Sequence, residues 1–158
     1  MWSAWAFSRV GLIRLASVAE SVAEYRFLLP YFENSAGRIW EEPGGYLRLE
    51  YRPGPREAGP FRALLMHTAQ ALSRRQWSKL LVDQRVMDSF IPSEREWMAT
   101  EGLPRAVYDN GYRFGAVVVA QNVFARLAMT QLVPATCDLP HIYRTFEAEA
   151  EAVAWLVK

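Results

Sequence analysis

The sequence predicts a single α/β domain, and three observations predict it. After a hairpin-like pair of short strands, helical spacing and strand-like runs alternate to the end of the chain. Two of those runs, Lys79–Asp83 and Phe114–Ala120, are apolar almost throughout, as strands covered on both faces are. The 158 residues suffice for one sizeable core, and no linker, repeat or low-complexity tract divides them.

Residues 1–30 read as an N-terminal extension, poorly packed or helical. Trp2, Trp5, Phe7, Leu12, Ile13 and Leu15 lie there, but Arg9 and Arg14 interrupt the apolar run. It is therefore neither long enough to span a bilayer nor charged in the order of a signal peptide. The ordered pattern, residues 31–158, begins near Tyr31. Arg38–Glu41 and Tyr46–Tyr51 flank Pro43-Gly44-Gly45, a turn between two strands. In the second strand Leu47, Leu49 and Tyr51 alternate with Arg48, Glu50 and Arg52, and Pro53-Gly54-Pro55 ends it.

Gly59-Pro60 opens a helix whose Phe61, Leu64, Leu65, Thr68 and Leu72 form one face. The strand Lys79–Asp83 follows. A helix then starts at Pro92, where Ser93 and Glu96 have the spacing of a capping box. Gly102 and Pro104 break or kink it before Tyr108, and Asn110-Gly111 stops it. The most apolar run, Phe114–Ala120, reads as a central strand. Val123–Val133 reads as a helix stopped by Pro134, His141–Phe146 as the last strand, and Glu147–Val157 as the last helix. Strands alternating with helices in this way pair in parallel, so the sheet is mixed and partly parallel.

Composition excludes several functions. Lys and Arg number 18 against 17 Asp and Glu, for a net charge of +1, and neither half is strongly basic. The basic face that a phosphate backbone requires is missing, so no nucleic acid is expected as partner. Cys137 is the only cysteine, which rules out an internal disulfide and a Cys-rich zinc site and fits a reducing cytoplasm. It reads as a small half-buried residue. His67 and His141 are the only histidines, and neither has the neighbours of a nucleophilic triad or a metal site. Glu147, Glu149 and Glu151 sit at a helix start, where acids favour the dipole. No catalytic residue, metal ligand or cofactor is expected, and the chain reads as no enzyme.

From about Tyr31 to the C-terminus the chain resembles the small STAS-like (SpoIIAA-like) regulatory proteins of bacteria. The likeness rests on Leu80-Leu81-Val82-Asp83-Gln84-Arg85, on Trp97 followed by Leu103-Pro104-Arg105-Ala106 and Gly111, and on Phe114–Ala120. Phe124-Ala125-Arg126-Leu127-Ala128, Phe146 and Ala154-Trp155-Leu156 complete it. The resemblance implies a SpoIIAA-like (STAS-like) sandwich, with helices mainly on one side of a mixed sheet. It also implies a regulatory phosphoserine after a central strand, near Ser89 or Ser93. Ser89 is followed by Phe90-Ile91-Pro92, whereas the antagonists carry a small residue or glycine there.

Ligands of open α/β sheets gather beyond the carboxyl ends of the strands. Asp83, Gln84, Arg85 and Asp88 after one strand, with Gln121 and Asn122 after the next, therefore form the candidate binding surface. Ser89 and Ser93 are the candidate phosphosites, Ser93 serving equally as a helix cap. Arg105 reads as a clamp on the kinked helix. Trp97, Phe124 and Trp155 read as core. Two functions follow: a non-enzymatic regulatory or protein-interaction module whose partner is another protein or a second copy, or a domain holding a small apolar, lipid-like ligand between sheet and helices.

Overall fold

The computed structural model describes residues 27–158; of the extension expected over residues 1–30, residues 1–26 lie outside them. Three strands open the fold as an antiparallel meander: β1 (Phe32–Glu33), β2 (Gly37–Glu42) and β3 (Tyr46–Tyr51). The hairpin between β2 and β3 closes through the Gly45 amide on the Glu42 carbonyl, 3.1 Å, with Gly45 at a φ of 78° that favours glycine. Then come α1 (Ala58–Arg75), β4 (Lys79–Asp83), α2 (Pro92–Trp97), a π-helical turn (Met98–Gly102) and α3 (Leu103–Tyr108). The chain ends with β5 (Phe114–Val118), α4 (Val123–Thr136), β6 (Ile142–Phe146) and α5 (Glu149–Leu156).

The six strands lie side by side in chain order, and β3 to β6 are mutually parallel. The chain is thus α/β with a mixed sheet, as the alternation of patterns predicts. The register sets Leu47 and Leu49 of β3 beside Leu80 and Val82 of β4, and these beside Gly115 and Val117 of β5. Strand alternation turns Ile39, Leu47, Leu49, Leu80, Val82 and Val117 to one face. They pack there against Phe61, Leu64 and Leu72 of α1, Trp97 of α2, Val107 of α3 and Ala125, Ala128 and Leu132 of α4. Burial of each large side chain stabilises the fold by about 1.5–3 kcal/mol. The other face carries a smaller core, where Tyr46, Leu81, Ala116 and Val118 meet Ala152 and Leu156 of α5.

Several boundaries differ from the sequence expectation. The α2 helix begins at Pro92, and the Glu94 carboxylate reaches back to the Ile91 amide at 3.1 Å, so Glu94 closes the cap and the Ser93–Glu96 box does not form. At Gly102 and Pro104 the helix does not end: α2 gives way to one π turn that closes at Gly102, and α3 carries Pro104 in its first turn. Gly102 lies so close to Trp97 that an added Cβ would come within 2.7 Å of its ring. Pro134 lies inside α4, which runs on to Thr136. Among the described residues, no helix is long and apolar enough to cross a membrane.

Candidate functional site

The carboxyl ends of β3 and β4 hold a charged cluster on the face that α5 partly covers. Arg85 grips Asp83 with two side-chain bonds of 3.0 and 2.6 Å and with its own amide at 3.1 Å. It also donates to Glu149 at 2.7 Å. Arg48 of β3 donates to Glu42 at 3.0 Å and to Glu149, so Glu149 ties the start of α5 to both strands. Burial would raise the Asp83 carboxyl, but the Arg85 hydrogen bonds outweigh it and hold the group below its ordinary range. The Glu149 carboxyl is lowered by its bond from Arg48, against a smaller opposing effect of burial. An open groove beside the cluster is lined by Arg38, Glu50, Arg52, Asp83, Arg85 and Gln121.

The residues read from the sequence as one binding surface divide in space. Asp83, Arg85 and exposed Gln121 share that groove. Gln84 does not belong with them. Strand alternation carries it to the opposite side of the sheet, where it is buried with its side-chain amide 3.6 Å from the Met129 sulfur. Asn122 caps α4, accepting from the amides of Phe124 at 2.8 Å and Ala125 at 3.4 Å. Asp88 is exposed and accepts from the Gly54 amide at 3.2 Å. Half-buried Ser89 precedes the helix start, and its carbonyl takes a bond of 3.2 Å from Arg56. Ser93 is exposed in the first turn of α2. Arg105 faces solvent, 3.8 Å from Glu101, and its side chain holds no other partner among the described residues. His67 is half-buried and stacks on Phe32 at 4.1 Å, and Cys137 is exposed.

Two features were not read from the sequence. The first is an apolar stripe on the outer side of α4. Val123, Phe124 and Leu127 are 65 %, 74 % and 54 % exposed, so Phe124 is no core residue. Ala125, Ala128 and Leu132 already fill the inner side of this helix. Val123 points away from them, while Phe124 flanks that side in the first turn and stays exposed. The second is a cavity of about 100 Å³ between the helix layer and the sheet. Leu49, Val82, Met98, Met129, Tyr112 and His141 are among its walls.

Comparison with protein-family models, with curated proteins and with solved structures finds no match to this chain.

The arrangement is electrostatically closed at the charged cluster and open at α4. Both Asp83 oxygens are engaged by Arg85, and a carboxylate held below its ordinary range is a weak proton acceptor. Gln84 was legible in principle, because it continues the period of Leu80 and Val82. The stripe was less so, since a helix with apolar residues all round does not reveal which of them lacks a neighbour.

Proposed function

We propose that the chain is a non-catalytic protein-interaction module of the STAS-like (SpoIIAA-like) type, which meets another protein through the outer face of α4. The observation that carries the reading is the exposed stripe Val123, Phe124 and Leu127. Val123 and Leu127 stand four residues apart and Phe124 three from Leu127, so the three side chains form one helix surface. A partner with an apolar recess for Phe124 would recover about 1.5–3 kcal/mol for each such side chain it removes from water. Interfaces concentrate their energy on aromatic anchors of this kind.

The resemblance is supported by the run of four strand–helix units from β3 to α5, with parallel strands neighbouring in chain order and most helices on one face. The Arg85 bonds to both Asp83 oxygens support a structural part for that cluster in this reading, and the cytoplasm is the location that goes with it. Lipid-like carriage has less support. The interior cavity, about 100 Å³, is smaller than the cavity of about 150 Å³ that takes a single benzene, and so short of what an acyl chain fills.

The test compares the wild-type chain with a Phe124→Ser/Leu127→Ser variant in quantitative capture from the native extract. Both changes lie on exposed positions, so the thermal midpoint of the variant should stay within about 2 °C of wild type. The reading expects one defined protein to be retained by the wild type and reduced at least about tenfold by the variant. Retention of the same proteins by both chains, or self-association of the wild type as the only event lost in the variant, would contradict it.

A further inference from the structure

The interior cavity has features that packing alone does not account for. Its walls are mostly apolar: Leu49, Leu72, Val82, Met98, Leu103 and Met129. At one place they carry aromatic polar groups. His141 stacks with Tyr143 at a ring separation of 5.9 Å and lies 5.5 Å from the ring of Tyr112, and all three line the cavity. The Nδ1 atom of His141 is buried and has no hydrogen-bond partner among the described residues. A buried polar atom left in that state costs about 1–3 kcal/mol. Burial also lowers the His141 pKa, against the opposing pull of the Leu139 carbonyl on the ring, so the imidazole is neutral near pH 7 with one accepting and one donating nitrogen.

A groove lies against the same space. Between α4 and β6 it is lined by Arg126, Thr130 and Thr145, and Gln84, Met129, Val133 and Tyr143 line both the groove and the cavity. Those four shared residues form the wall that a guest coming from the groove would have to part. Met98 and Met129 are unbranched and adaptable, so the walls can yield to a guest. A dry apolar cavity of about 150 Å³ accommodates benzene. The present one is about 100 Å³ before any movement of its methionines.

We propose that this cavity, entered between α4 and β6, binds a small neutral apolar molecule bearing one hydroxyl group, of the phenol class, with the hydroxyl on His141 Nδ1. The ring occupies the space between Leu49, Val82 and Met129, and the hydroxyl satisfies the buried Nδ1 of His141, which has no hydrogen-bond partner among the described residues. This site is separate from the α4 surface and does not depend on it.

The experiment titrates the full chain with phenol and, in parallel, with toluene, which has similar size and no hydroxyl. Amide and side-chain chemical shifts locate the site and give the affinities. The expected result is saturable phenol binding with the largest shifts at Tyr112, Met129 and His141, and toluene about tenfold weaker. His141→Phe keeps an aromatic ring while removing the acceptor, and should bring phenol to the toluene level. Ala106→Leu, at a wall position, should abolish binding of both. No saturable phenol binding, equal affinities for the two probes, or an unchanged preference in His141→Phe overturns the proposal. The wild-type comparison of probes decides the matter even if a variant fails to fold.

Discussion

Removing Arg56 should unfasten the loop that joins β3 to α1, and the cost follows from its surroundings. The Arg56 and Glu94 side chains are 3 % and 4 % exposed. Two bonds join them, Nη2 to Oε2 at 2.8 Å and Nε to Oε1 at 3.1 Å. The guanidinium also donates to the carbonyls of Asp88 and Ser89, at 3.1 and 3.2 Å. It lies 5.6–5.8 Å from the ring centres of Tyr51, Phe61 and Phe90. Arg56→Met would leave a carboxylate buried without its counter-charge, a change that costs about 3–5 kcal/mol. For a chain of this length that corresponds to a fall in Tm of roughly 12 °C. Arg56→Met combined with Glu94→Leu removes both charges, and replacing such a pair by apolar side chains is often close to neutral. The Ile91 amide would then lose its Glu94 acceptor, at about 1 kcal/mol. The double variant should therefore cost less than about 2 kcal/mol, well below the single one. Urea unfolding followed by tryptophan fluorescence measures both. A single variant losing under about 1 kcal/mol, or a double variant losing more than the single, would refute the assignment of the pair as a buried clasp.

Three further outcomes follow. Gly115→Ala places a methyl group on the Tyr112 hydroxyl and should cost about 1–3 kcal/mol, with Tyr112→Phe recovering part of the loss in a thermal-shift series. Asn122→Ala removes both cap bonds at the start of α4 and should cost about 1 kcal/mol, read as a lower urea midpoint at an unchanged slope. The depressed Asp83 and Glu149 carboxyls make the unfolded chain bind more protons than the folded one near pH 4. Stability from this cluster is therefore present above that pH and is lost as pH falls through the folded pKa values. Glu149→Gln should flatten the dependence of the urea midpoint between pH 5 and pH 3.

What the sequence made legible was local periodicity. The alternation of Leu47, Leu49 and Tyr51 and the helical spacing of Phe61, Leu64, Thr68 and Leu72 named the faces that the structure buries. The apolar runs at Lys79–Asp83 and Phe114–Val118 became neighbouring central strands. What stayed hidden were pairings between distant segments. Arg56 and Glu94 lie 38 positions apart, and Arg48 and Glu149 lie 101 apart, so no local pattern joins them. Phe124 reads as core by residue type, yet Ala125, Ala128 and Leu132 are the residues of α4 that meet the sheet. Two-residue β1 was missed because two positions cannot show a period. The cavity, with walls from most of the elements, has no signature in any one of them.

The most direct test of the α4 surface is site-specific photocrosslinking in living cells, with a benzophenone amino acid at Phe124 and, as control, at exposed Arg74 on α1. The account predicts one discrete heteromeric adduct from position 124 and none from position 74. No adduct at 124, or the same adducts at both positions, would contradict it.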